Sequence, residues 1–426
     1  MLRKSFLALS LPLLLSATSL PDLFSALKEH AQTKSDEMAV KQAEVANKIA
    51  NAKLYPTVNL FAKYDYTTEP VGMIPVSPET NAKLLADPSK PAQPFSQNRF
   101  SEGINFTMPL FVKSIYTMSD KAKKMQKSVK AKKRINLLKN EAVIVGANAN
   151  YLYLIELEKS LDKKKEFLLE TEKTIKIKID NGRAPVSALY IIDDCFNQLK
   201  MMKNSLALQK EQLINRIRSL TGITLNRPIP MQEVRAVHTS DILESLTPLK
   251  LKIDANKLEI DAQKEKLYPS LVAYGSYYFS QAKAYNNNEN VSKTYGNVGL
   301  LLNIPLLAME NYQEIKKSKM QMYKDKLEYE KLEEVLKSKA IMLQKTMTLL
   351  ESSIKLSQKS VVDKEKLLEI AKVNYTNGRL STEEYLRYED DVIDASAKLY
   401  KTKAQKWQTL MELAVIYANN IEEMVK

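Results

Sequence analysis

The stretch Tyr375-Thr-Asn-Gly-Arg379-Leu380-Ser381-Thr-Glu-Glu384 stops one helix and starts another. Asn-Gly suits a helix C-terminus because glycine enters the left-handed backbone region without a Cβ penalty. Ser381 followed three residues later by Glu384 has the form of a capping box. The same triplet stands 196 residues earlier as Asn181-Gly182-Arg183, followed by Pro185, which suits a first helical position. The chain is expected to reverse at both. Upstream of the first turn, the sequence from Pro109 to Asn181 holds no further proline and one glycine, Gly146. Upstream of the second, Pro305 to Asn377 holds neither. A helix of either length would be about 100 Å long. Leu138, Ala142, Val145, Ala149 and Leu152 step by four and three, as do Leu336, Ala340, Leu343, Met347, Leu350 and Ile354. That spacing marks coiled-coil seams.

Further landmarks recur. Phe106-Thr-Met-Pro-Leu110 resembles Leu302-Asn-Ile-Pro-Leu306 at the same 196-residue shift, and Lys53-Leu-Tyr-Pro56 returns as Lys266-Leu-Tyr-Pro269 at a shift of 213. The difference falls in the proline-rich stretch 69–97, whose counterpart 281–293 is short and asparagine-rich; both read as loops. A tandem duplication follows. A basic start with an apolar Phe6–Leu15 segment and small residues at Ala17 and Ser19 reads as an export signal over 1–19. The first repeat then covers 20–222, with a hairpin at 57–108, a long helix at 110–180 and a helix at 185–221. A connecting segment spans 223–240. The second repeat covers 241–426, with a hairpin at 270–304, a long helix at 306–376 and a helix at 382–424.

The hairpins alternate with period two. Val58, Leu60, Ala62, Tyr64 and Tyr66 share one face, and Phe100, Ile104, Phe106 and Met108 line the return strand, with Glu102 as an exception. Leu271, Ala273, Gly275, Tyr277 and Phe279 align in the second repeat, then Val298, Leu300, Leu302 and Ile304. Strands of about ten residues suit both a membrane barrel and half-buried soluble hairpins. Four strands cannot close a barrel alone. In lipid their edges would need other copies, two giving eight strands and three giving twelve.

Composition narrows the function. There are 64 Lys+Arg against 50 Asp+Glu, a formal charge of +14, with lysines dispersed along the helices rather than clustered for nucleic acid. Beyond the N-terminus no apolar run is long enough for a membrane helix, and mean hydropathy is −0.32. Cys195 has no partner for an intrachain disulfide, and His30 and His238 are isolated. Neither a metal site, a cofactor loop nor a catalytic constellation emerges, so no enzyme is expected.

The duplicated order, the Tyr55-Pro56 and Tyr268-Pro269 pairs, Pro109-Leu110 and Pro305-Leu306, and the two Asn-Gly-Arg turns together resemble the TolC-like outer-membrane factor family over essentially the whole exported length. The resemblance implies a mainly α fold with a small β part: long paired helices forming an α-barrel, and two hairpins per chain building a twelve-stranded transmembrane β-barrel in a homotrimer. It implies an exit duct for a tripartite efflux pump or type I secretion, located in the outer membrane with most of the chain in the periplasm, and a periplasmic adaptor and an inner-membrane transporter as partners. Asn181, Gly182, Arg183, Asn377, Gly378, Arg379 and Leu380 would form the periplasmic entrance and touch the adaptor. Tyr375 and Glu384 match entrance-gate positions, while Arg387 stands where the family carries a second acid, giving a gate of mixed sign. Lipid would face Leu60, Tyr64, Tyr66, Phe106, Leu271, Tyr277, Phe279, Leu300 and Leu302. A soluble periplasmic coiled-coil adaptor or scaffold is the competing expectation; it needs no lipid-facing alternation in all four strands.

Overall fold

The computed structural model describes residues 19–86 and 92–426. The expected export signal lies outside the described residues except for Ser19, which caps the first helix. In chain order the elements are α1 (Leu20–Glu29), α2 (Ala31–Ala52), β1 (Thr57–Gly72), α3 (Pro78–Ala86), β2 (Phe95–Phe111), α4 (Lys113–Asp180) and α5 (Ser187–Thr221). After a short 3₁₀ turn at Glu244–Leu246 come α6 (Thr247–Glu265), β3 (Ser270–Lys283), β4 (Asn290–Asn303), α7 (Met309–Thr376), α8 (Thr382–Ile416) and α9 (Ile421–Met424). The chain falls into two compact units, each drawing on both repeats. Among the described residues no helix is long and apolar enough to cross a membrane.

One unit comprises Val40–Val129 and Leu249–Glu328 and contains the sheet. Its four strands are antiparallel in the order β1-β2-β3-β4, so β1 and β4 are open edges. Residues directly opposite in register share a face. Leu60 therefore stands with Ile104 and Tyr277, and Tyr64 with Phe100. Phe106 stands with Gly275 and Val298, and Leu271 with Leu302. The two hairpins thus merge their apolar residues on one continuous face, interrupted by Glu102. Leu60 is 83% exposed and Val298 81%. The other face is mainly polar. Arg99 bonds Asp65 at 2.9 Å, and the Ser101 and Ser280 hydroxyls meet at 2.9 Å. A Cβ on Gly103 would lie 2.5 Å from that of Tyr278, so only glycine admits the tyrosine there. Around the sheet, α2 bonds α4 through Asn47 and Gln126 at 3.1 Å, and α6 bonds α7 through Lys252 and Asp325 at 3.0 Å.

Several element boundaries differ from the sequence expectation, each for a local reason. The stretch 69–97 is not all loop: β1 runs on to Gly72, and Ser77 starts α3 by accepting the Thr80 N–H at 3.2 Å, with Pro78 at its first position. The 281–293 loop contracts to a turn, because β3 and β4 stay paired through Lys283 and Asn290. β2 continues past Pro109 to Phe111 with a register break, so α4 starts at Lys113 instead of 110. Pro305 restricts Ile304 to extended backbone, and α7 starts at Met309 instead of 306. Helix α5 begins at Ser187 rather than Pro185, because the chain first makes tight three-residue turns onto the Pro185 and Val186 carbonyls. The expected 382–424 helix breaks after Ile416, where Ala418 takes φ 52° and the Asn419 N–H returns to the Ala414 carbonyl.

The other unit comprises residues up to Ala39, Lys130–Pro248 and Tyr329–Lys426. Leu154, Leu161, Leu168 and Ile175 of α4, seven residues apart, pack with Ile192, Leu199 and Leu206 of α5. This is heptad packing with one knob per two turns. A second cluster joins α1 (Leu20, Leu23, Phe24, Leu27) to α4 through Leu138, Ile144, Val145 and Tyr151, and to the C-terminus through Met411, Ile421 and Met424. The seam read at Ala340 and Leu343 packs against Leu413 and Ile416 of α8.

Candidate functional site

Both helical hairpins turn in the same way. At the end of α4 the Gly182 N–H reaches the Ile179 carbonyl at 2.8 Å, and the Arg183 N–H reaches that of Lys178 at 2.7 Å. At the end of α7 the Gly378 N–H reaches Tyr375 at 3.1 Å and the Arg379 N–H reaches Asn374 at 2.9 Å. These are paired Schellman closures, which satisfy carbonyls the helix leaves free. Gly182 and Gly378 have φ of 68° and 72°. A Cβ at either would touch nothing, so their requirement comes from the left-handed backbone and is worth about 1–2 kcal/mol. Asn181 adds a side-chain bond to the Ile177 carbonyl at 2.8 Å. Arg183 and Arg379 are exposed at the turn tips, as are Asn181 and Asn377. Leu380 is half-buried against an aromatic cluster.

That cluster is the centre of the site. Tyr375 of α7 is only 6% exposed and stacks on Tyr385 of α8, ring centroids 4.6 Å apart and planes 15° from parallel. Phe167 of α4 meets Tyr385 edge-on at 4.7 Å. Lys178, also on α4, places its ammonium 4.3 Å from the Tyr375 ring centre, in cation–π range. The Tyr375 hydroxyl lies 3.3 Å from the Thr382 Oγ1. The two helical hairpins are therefore stitched together within one chain, beside a 190 Å³ cavity. Sequence reasoning singled out Tyr375 but missed Phe167, Lys178 and Tyr385; the second tyrosine just after the turn was the one available signal.

Electrostatics around the cluster separate three acids. Glu384 closes the capping box: it accepts from the Ser381 N–H at 3.0 Å and hydroxyl at 2.8 Å, while its own N–H donates to the Ser381 Oγ at 3.1 Å. These bonds, aided by Arg387, hold its carboxyl below the usual glutamate range. Glu389 is buried and pushed up to about 9 by burial, against the opposing charge of Lys164, with Asp390 and Glu170 adding to the rise. Asp390 is engaged by Lys164 of α4, and Asp391 by Lys364 of α7 at 2.6 Å. Burial likewise pushes the Tyr385 hydroxyl up to about 12. Among the described residues no group of three His, Cys, Asp or Glu is placed to hold a metal ion.

Neither a scan against protein-family models nor a search of curated protein sequences finds a match. Solved structures do match. The Campylobacter jejuni CmeC outer membrane channel aligns with 93% of this chain and 84% of its own, at 17% identity and a TM-score of 0.75. The outer membrane protein VceC from Vibrio cholerae aligns with 93% of this chain and 96% of its own, at 13% identity and a TM-score of 0.76. The open-state Neisseria gonorrhoeae MtrE outer membrane channel aligns with 93% of this chain and 88% of its own, at 14% identity and a TM-score of 0.72. The fold is thus that of these channels, as the resemblance to the TolC-like family led one to expect.

Proposed function

We propose that three copies of this chain form an outer-membrane exit duct, with most of each chain in the periplasm. In this reading the duct passively conducts cargo delivered by a periplasmic adaptor and an inner-membrane transporter, in a tripartite efflux pump or a type I secretion system. The observation that carries it is the sheet: four strands of 14 to 17 residues, one continuous exposed apolar face, and two open edges. Open edges are not tolerated in lipid, so β1 of one copy would pair with β4 of the next. An exposed heptad stripe on α7, Val335, Met342, Leu349 and Leu356, supports lateral packing of further copies. The soluble adaptor reading required hairpins without apolar alternation in all four strands, which is not what this sheet offers. Membrane fractionation tests the proposal. The chain is expected in the outer membrane as a trimer that shifts mobility on heating, and a soluble periplasmic monomer would overturn it.

At the entrance, the tips Asn181 to Arg183 and Asn377 to Leu380 would meet the adaptor, with Arg183 and Arg379 as its charged contacts. Tyr375 would lock the hairpins, and Glu384 with Arg387 would ring the constriction where three copies converge. Glu384→Gln keeps a side chain able to close the capping box while removing the charge. Its single-channel current is expected to lose cation preference several-fold relative to the parent. Unchanged selectivity would confine Glu384 to capping.

A further inference from the structure

The sheet unit holds a 220 Å³ cavity where β3 begins and where β2 and β4 end, lined by Lys113, Ser114, Glu265, Lys266, Tyr268 and Asn303 among others. Its electrostatics are unfinished. Glu265 has a side chain 13% exposed, and its Oε2 is buried without a hydrogen-bond partner. Its Oε1 lies 3.9 Å from the Lys113 ammonium, beyond hydrogen-bond reach. Lys266 is exposed at the mouth, and Tyr268, 52% exposed, stands beside it. Just past the β4 end the surface turns strongly apolar: Leu306 is 93% exposed and Leu307 82%.

We propose that this cavity seats the phosphoethanolamine headgroup of a phospholipid in the periplasm-facing leaflet. The two lysines meet the phosphate, Glu265 accepts from the primary ammonium, and the acyl chains run over Leu306 and Leu307. The proposal rests on the sheet spanning the outer membrane, which sets these strand ends at the headgroup level. Tyrosine and lysine suit that level, since each has an apolar stem and a polar tip. A mixed-charge pocket matches a zwitterion better than a simple anion: Glu265 would repel phosphate alone, and the ammonium supplies the donor that Lys113 is too distant to be. The duplication provides an internal control. The matching Lys53-Leu-Tyr55-Pro56 keeps a lysine and a tyrosine, but Ala52 stands where the second repeat has Glu265 and Met309 where the first has Lys113. Each chain therefore carries one complete site.

Native mass spectrometry of the full chain, extracted in detergent and titrated with dihexanoyl lipids, tests this. Phosphatidylethanolamine is expected to be retained about tenfold over phosphatidylcholine, whose quaternary nitrogen has no N–H to donate, and over phosphatidylglycerol, which lacks the cation. Glu265→Gln should abolish the preference over phosphatidylglycerol. Lys266→Ala, at an exposed position that folding does not depend on, should weaken phosphatidylethanolamine binding about tenfold. Equal retention of the three lipids, or either variant matching the parent, overturns the site. Recovery of the chain as a soluble protein would overturn the membrane reading itself, whereas an outer-membrane trimer without headgroup preference would remove only the lipid site.

Discussion

Asn148→Leu is expected to destabilise the helical unit by about 4 kcal/mol, as a fall in the urea midpoint of the purified protein. Asn148 is fully buried on α4 and grips one residue of the connecting segment at both ends. Its Nδ2 donates to the Ile229 carbonyl at 2.7 Å, and its Oδ1 accepts the Ile229 N–H at 2.9 Å. Ile229 lies between Pro228 and Pro230, neither of which has an N–H, so this stretch cannot satisfy itself by a regular ladder. Leucine fills the same space but strands a buried donor and a buried acceptor, each worth about 1–3 kcal/mol. The segment is held again at His238, whose N–H and carbonyl pair with the Asn419 amide at 2.9 and 3.0 Å. Asn419 is exposed on that side, so Asn419→Ala should cost only about 1 kcal/mol. A midpoint for Asn148→Leu within error of the Asn419→Ala value would refute the ranking.

The two asparagines show where sequence reasoning reached and where it stopped. The long helices were legible because proline and glycine are absent from them, and both punctuating turns were legible because Asn-Gly has a backbone reason to end a helix. The sheet face was legible because Val58 to Tyr66 and Val298 to Ile304 alternate without ambiguity. Asn148 was not, since a buried amide that substitutes for a β-partner leaves no local pattern. Phe167 and Tyr385 are far apart in sequence, and nothing near either predicts that they touch. The α4–α5 seam was missed for another reason: Leu154, Leu161, Leu168 and Ile175 supply one apolar residue per heptad, a signal diluted by the lysines and glutamates between them. Glycine scarcity did point to helix. It also concealed that Gly103, Gly275, Gly296 and Gly299 all sit in the sheet, beside the aromatic rings they make room for.

Stability of the hairpin tips is expected to fall as pH rises, and Glu389→Gln is expected to remove most of that slope. The side chain lies among Lys164 and Glu170 of α4 and Tyr385 and Asp390 of its own helix, and one carboxyl oxygen has no hydrogen-bond partner. Burial raises its folded pKa from 4.5 to about 9. The folded chain then keeps a proton that the unfolded chain releases, so its advantage is complete below about pH 4.5 and is lost progressively up to about pH 9. At pH 8 the neutral glutamine should be more stable by a few kcal/mol. Near pH 4.5 the two proteins should unfold together, because glutamic acid is already neutral in both states. Thermal unfolding of both proteins between pH 5 and pH 9 reads the difference directly, and melting curves that stay parallel across this range would refute it. Glu384, held low by its cap, contributes with the opposite sign: its share is present above its unfolded pKa and lost only as pH falls below it. The two acids therefore pull the tip's stability in different pH windows, and Glu389, being the buried one, dominates above neutrality.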